Sequence, residues 1–247
     1  MSIVLPENFT ISLGFLFGPN IEFPTEHVTD ISNIYLTYTN LTFQQNRLTT
    51  INTSNVFLPE KYHLYDGYIF GPNANLTNVT INTVINLFGI DLSNAIFKGF
   101  RSNGNIIFGT HENEPILYST NTNITLPSGY TIINGFLFGP GVDLSDAVFT
   151  NYIDISSLSL IGVKSQNITF DGDITGLTLP SGYIMENGII FGPGVDLSNV
   201  KFTQNIDIAN VDLSDAILSG IISDGNITLG TDDNGKPIKD SDDTNIT

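Results

Sequence analysis

The chain has 247 residues and a formal net charge of −17, from 25 Asp and Glu against 8 Lys and Arg. So few cations exclude a basic face for direct binding of nucleic acid or anionic lipid, and the absence of Cys excludes disulfides, thiolate chemistry and a Cys-held zinc. No apolar run reaches the ~18 residues of a membrane helix, and MSIVLPENF lacks the basic region and apolar stretch of a signal peptide, so synthesis inside the cell is the expectation.

The first element is LPENFTISLGFLFGPNIEF, from Leu5. Its plan returns as LPEKYHLYDGYIFGPNANLTNVTI from Leu58, LPSGYTIINGFLFGPGVDLSDAVF from Leu126 and LPSGYIMENGIIFGPGVDLSNVKF from Leu179. The spacings are 53, 68 and 53 residues, a duplication of 121 residues with a short and a long unit in each half. The register holds outside these LP segments: IDLSNAIFKG at Ile90 returns as VDLSDAILSG at Val211, and NGNIIFGT at Asn103 as DGNITLGT at Asp224. Repeats this short cannot bury their own apolar face and must stack on neighbours.

Within the LP segments, apolar residues come in pairs two apart, and each pair follows the last by six. The first copy has Ile3/Leu5, Phe9/Ile11, Phe15/Phe17 and Ile21/Phe23; the third has Ile124/Leu126, Tyr130/Ile132, Phe136/Phe138 and Val142/Leu144. An in-out-in triplet is a three-residue strand, and PSG, ING and GPG between triplets predict corners. After each GP the step shortens to five, as in Leu36/Tyr38 to Leu41/Phe43, Ile90/Leu92 to Ala95/Phe97 and Val211/Leu213 to Ala216/Leu218. Neither step is the three-and-four spacing of a helix, so the chain is predicted to be all-β.

At VDLSDAVF, VDLSNVKF, VDLSDAIL and IDLSNAIF the chain resembles the pentapeptide-repeat proteins. The resemblance implies a right-handed, four-sided β-helix with one five-residue face per repeat. By that pattern Leu92, Phe97, Leu144, Phe149, Leu197, Phe202, Leu213 and Leu218 are the central inward residues, and Ile90, Ala95, Val142, Ala147, Val195, Val200, Val211 and Ala216 the smaller inward ones. The six-residue faces of the LP segments are similar to hexapeptide solenoids, whose three-sided coil is the alternative there; four sides throughout keep the DLS motif in register. The resulting expectation is one solenoid over residues 1–231, in halves of about 1–121 and 122–242, with an acidic cap or tail at 232–247. At ~20 residues per coil and ~4.8 Å between strands, the rod would be about 55–60 Å long.

Outward Asp91, Asp143, Asp154, Asp196, Asp207 and Asp212 could bind Ca²⁺ as rows or act as an acid-base pair, but Asp at this position belongs to the repeat's solvated face. His27, His63 and His111 share no repeat position, Ser128 and Ser181 lack a nucleophile elbow, and DDNG at Asp232 lacks the spacing and terminal Glu of an EF-hand loop. Nine N-x-S/T sequons, at Asn8, Asn40, Asn52, Asn75, Asn78, Asn123, Asn167, Asn226 and Asn245, reflect abundant Asn and Thr and are not read as glycosylated. No catalytic, cofactor-binding or metal-binding residue is assigned, and no cofactor or small-molecule substrate is expected.

The LP element resembles one found beside pentapeptide runs in giant DNA viruses and some marine bacteria. That implies a non-enzymatic structural or interaction protein, a virion or assembly scaffold located in the virion or host cytoplasm. Its partners would be other proteins or other copies of itself, met through the solenoid faces and the N-terminal coil edge of Ile3, Leu5, Phe9, Ile11, Phe15 and Phe17. An acidic DNA mimic that binds a topoisomerase is the alternative, although duplex DNA over the same length carries roughly 32 charges against a net 17 here. A polysaccharide-active β-helix enzyme comes third, for want of long loops to wall a cleft.

Overall fold

The computed structural model describes residues 61–111, 114–117, 123–171 and 176–231, with 4, 5, 9–12, 15–17, 58 and 236 besides. Ile3, the predicted pairs between Ile21 and Val56, and the predicted cap or tail at 232–247 other than Lys236 lie outside these residues. The chain forms two compact units, Met1–Phe97 with Asn105–Ser128 and Lys98–Gly104 with Gly129–Thr247. Among the described residues there is no helix, and every strand has two or three residues.

The five-residue step has a local cause, visible at Val142 to Ala147. The Asp143 carboxylate accepts the N–H of Ser145 at 2.8 Å, and the N–H of Ala147 bonds the C=O of Leu144 at 3.2 Å. Asp146, third in that turn, sits at φ 60° while Ser145 is not left-handed, which is the type II arrangement. Leu92–Ala95, Leu197–Val200 and Leu213–Ala216 close in the same way, with Asn94, Asn199 and Asp215 left-handed. Asn and Asp tolerate this region better than other side chains. A four-residue turn plus one extended residue makes a step of five.

The extended pieces then pair in parallel with pieces 21 residues further on. Ile85–Asn86 pairs with Ile106–Ile107, Val148–Phe149 with Thr169–Phe170, Lys201–Phe202 with Ile222–Ser223 and Ile206–Asp207 with Ile227–Thr228. Single bridges Asn75↔Ile96, Asp143↔Lys164 and Asp196↔Ile217 keep the same separation. It is 24 between Ile153–Asp154 and Leu177–Thr178, and it widens further where an antiparallel hairpin is inserted, as at Lys164↔Asp196 and Asp91↔Thr125.

Inside lie the residues the repeat pattern points inward: Ile90, Leu92, Ala95, Phe97, Val142, Leu144, Ala147, Phe149, Val195, Leu197, Val200, Phe202 and Val211 are all buried. Phe149 is in ring contact with Phe136, Phe138 and Phe170, and full burial of such a side chain is worth about 2–3 kcal/mol. Three positions depart from the expectation. Leu213 and Ala216 are half-buried, and Leu218 is 49% exposed, because no described segment pairs over the far side of this stretch.

The six-residue faces are the larger correction. In each LP segment two of the predicted faces are instead the arms of an antiparallel hairpin: Thr10–Ser12 with Phe15–Phe17, His63–Tyr65 with Tyr68–Phe70, Thr131–Ile133 with Phe136–Phe138 and Ile184–Glu186 with Ile189–Phe191. The cause is the two-residue corner. Asp66–Gly67, Asn134–Gly135 and Asn187–Gly188 have both residues at positive φ, the type I′ geometry whose twist folds a strand back on its neighbour. Leu137 and Ile190, outward in the face reading, are consequently buried at 3% and 0% exposure.

The remainder of the LP motif closes the hairpin's base. Tyr62, Tyr130 and Tyr183 each donate their hydroxyl to the carbonyl ten residues on, that of Pro72, Pro140 and Pro193, at 3.1, 2.7 and 2.8 Å. The ring lies against the Gly of the GP pair: a Cβ on Gly71, Gly139 or Gly192 would stand 2.2–2.3 Å from it. Phe9 occupies the Tyr position of the first copy and has no hydroxyl to donate.

Candidate functional site

The outward Asp residues were the strongest chemical candidates, and the structure gives each a local task. Asp91, Asp143, Asp154, Asp196, Asp207 and Asp212 all accept the backbone N–H two residues on, at 2.8–3.1 Å. Asn75 and Asn86 make the same bond to Thr77 and Phe88. These are Asx turns, and they set the corners. Hydrogen bonds from Ser93, then Lys61 at 3.2 Å, hold the Asp91 carboxyl below its ordinary range; bonds from Ser156 and Ser214 do the same for Asp154 and Asp212.

One of these carboxylates, Asp143, belongs to a larger cluster that also holds Asp146. The Arg101 guanidinium reaches Asp143 at 2.7 Å and Asp146 at 3.1 Å, and Asn167 donates to the other oxygen of Asp146 at 3.1 Å. Arg101 follows Phe100, whose C=O bonds the N–H of Asp143, and Asp143, Lys164 and Asp196 are bridged in turn. The row therefore reads cation, anion, cation, anion. The alternation sets a cation beside each carboxylate of this row.

The other candidates remain apart. His63 pairs with Phe70 across its hairpin, stacks on Tyr65 at 6.1 Å and has its pKa lowered by burial. His111 is the backbone register partner of Glu114 in a separate hairpin, and His27 lies outside the described residues. Ser128 and Ser181 are exposed turn residues. Asn75 and Asn167 are the sequon residues already met in an Asx turn and the Arg101 cluster, while Asn78 and Asn123 share the left-handed conformation of Asn167; Asn8, Asn40, Asn52 and Asn245 lie outside the described residues. Among the described residues, no group of three or more His, Asp or Glu is placed to hold a metal ion.

An open groove of about 510 Å³ is lined by Phe170, Leu177, Thr178, Leu179, Tyr183, Ile184 and Met185. Its two hydroxyls are engaged, Thr178 with Tyr152 at 2.6 Å and Tyr183 with Pro193. Burial and the charge of Asp212 raise the Tyr183 pKa, keeping the phenol protonated. The groove offers apolar contact and no titrating group at neutral pH.

Sequence reading passed over Ser102 and Ser165, which are 4% and 1% exposed. Their hydroxyls accept the N–H of Leu137 at 3.0 Å and of Ile190 at 2.8 Å. In a two-residue hairpin the residues flanking the turn exchange both backbone bonds, and the next pair points its N–H groups outward. Ser102 and Ser165 take those outward N–H groups and fix each hairpin to the segment before it. The available signal was FRSN against VKSQ, apolar-cation-Ser-amide in both places.

No family model, no curated protein and no solved structure matches the chain.

Proposed function

We propose that the chain is a right-handed, four-sided β-helix interrupted by hairpins, and that it works as a non-enzymatic scaffold whose faces and coil edges bind protein. The observation that carries this reading is where the chemistry-bearing side chains go. The repeated carboxylates cap turns, the buried serines anchor hairpins, and the conserved-in-repeat tyrosines clasp carbonyls. The outward residues left to meet a partner include large apolar ones, Val148 and Ile161 among them. The 21-residue parallel separation, three steps of five and one of six as from Leu144 through Phe149, Ile155 and Leu160 to Ser165, and the type II corners support four sides per coil. Assembly of a virus particle is the setting suggested by the resemblance of the LP elements. Cations interleaved at Arg101 and Lys164 in the carboxylate row count against the DNA-mimic alternative.

Purification from the native source tests the reading, comparing the chain with a Val148→Lys, Ile161→Lys variant. Both sites are exposed, so circular dichroism should be unchanged. Defined proteins retained by the first and lost by the second are the expected result. Turnover of a polysaccharide, or inhibition of a topoisomerase at sub-micromolar concentration, would overturn it.

A further inference from the structure

We propose that two copies of this chain pair side by side and antiparallel, through the face that carries Arg101, Asp143, Lys164 and Asp196. This rests on the scaffold reading in giving a face of the chain to protein contact, and it names the face, the partner and the register.

The four side chains stand on successive strands within one compact unit. The Asp143 N–H bonds the C=O of Phe100, and Asp143, Lys164 and Asp196 are joined by parallel bridges. Val142, Leu144, Val163, Val195 and Leu197 beside them are buried, so the four charges form the outward side of this face. Only part of that charge is matched inside the chain. Arg101 holds Asp143 at 2.7 Å and Asp146 at 3.1 Å. Lys164 and Asp196 form no ion pair among the described residues. One oxygen of Asp196 accepts the N–H of Ser198 at 2.9 Å, and the other is left for a partner.

A row ordered cation, anion, cation, anion reads anion, cation, anion, cation from its other end. Turning a second copy end for end, about a two-fold axis between Asp143 and Lys164, therefore sets Arg101 against Asp196 and Asp143 against Lys164, each contact occurring twice. A two-fold contact requires a patch that is complementary to itself, and this row is. Copies laid parallel would bring like charges together, and so would an antiparallel slip of one row. Like-charge contact is what excludes a wrong register.

The corner beside the row adds apolar contact on the same axis. Pro140, Ile161 and Pro193 each precede a left-handed Gly, at 141, 162 and 194. The N–H of Gly141 bonds the C=O of Ile161, and a Cβ on Gly194 would stand 3.3 Å from the Ile161 side chain, so the three corners are stacked. Ile161 is 62% exposed. Since the axis runs across the face, each corner lies opposite its own counterpart, and Ile161 meets Pro140 of the second copy. The net charge of −17 on each copy opposes the approach, but at physiological ionic strength charges more than about 8 Å apart are largely screened. Four strands at ~4.8 Å spacing make a contact less than about 20 Å long, small for a protein interface, so the expected dimer is weak.

Sedimentation velocity of the purified chain over a range of concentrations tests this. Wild type is expected to pass from monomer to dimer and no further. Lys164→Glu sets a like charge against Asp143 of the second copy, and Asp143→Lys sets one against Lys164. Each alone is expected to raise the dissociation constant at least about tenfold. Mixed in equal amounts, the two variants regain opposite charges at every contact of the row and are expected to pair as wild type does. Because the chain has no Cys, Ile161→Cys gives a readout that depends on neither charge variant. A short bismaleimide should join two copies through it, whereas Val148→Cys, one corner away, should stay unjoined. That cross-link decides the matter if Asp143→Lys unfolds for want of its bond to Ser145. A wild-type monomer up to its solubility limit, growth beyond a dimer, folded variants that fail to pair when mixed, or a cross-link at Val148 and not at Ile161 would each overturn the proposal. Neither readout involves a foreign protein or a substrate, so the dimer and the scaffold reading can fail separately.

Discussion

The LP hairpins and the DLS corners are built from the same alphabet of apolar pairs and short polar gaps, yet one doubles the chain back and the other carries it forward. The difference lies in two backbone angles. Asn134 and Gly135 are both left-handed, and the strand after them runs antiparallel to the strand before. At Ser145–Asp146 only the second residue is left-handed, and Val148–Phe149 goes on to pair in parallel with Thr169–Phe170. Hydrophobic spacing selects which residues are buried. The corner dipeptide decides what they pair with.

The sharpest way to break this comparison is to charge one interior position of each kind. Leu144→Asp in a corner and Leu137→Asp in a hairpin should each cost more than about 4 kcal/mol, since both bury an unpaired carboxylate. If Leu137 were an ordinary outward residue its variant would melt with wild type. Exchanging corner residues comes next: Gly135→Val should cost about 2 kcal/mol, because a β-branched side chain is strained at positive φ. Asn94→Gly keeps the left-handed residue and should change the melting free energy by only a few tenths of a kcal/mol.

The joint between the two kinds of segment is probed by serine. Ser102→Ala strands the N–H of Leu137 and should cost about 2 kcal/mol in thermal or denaturant unfolding. Ser145 is buried with its hydroxyl unpartnered, so Ser145→Ala should be neutral or slightly stabilising. The Asx turns separate two substitutions at one position. Asp196→Ala should cost about 1 kcal/mol, while Asp196→Asn should match wild type, since Asn75 and Asn86 already cap their turns.

The all-β class and the buried residues of the five-residue faces were legible because period two and period five exclude a helix and mark the inward side. The hairpins were legible in principle. DG and NG between apolar triplets are strong hairpin signals, but a constant six-residue step suggests faces of equal length, and that regularity outweighed the dipeptide. Ser102 and Ser165 could not be read as anchors, since their importance depends on an N–H that is free only once the hairpin exists. Leu218 satisfies the inward pattern as fully as Phe97 does. Its exposure depends on what lies over it, and the repeat does not encode that.

Because most of the parallel pairings join residues 21 apart, closing each of these orders a short loop, whose entropic cost is small. A hairpin that forms in ~1–10 μs gives the adjoining segment a ready edge, so folding can start at any LP element and spread to its neighbours without waiting for distant parts of the chain. Order of this kind is lost as it is gained, segment by segment from an uncovered side. Hydrogen exchange would register it as a gradient of protection declining toward Leu218, in place of one cooperative opening.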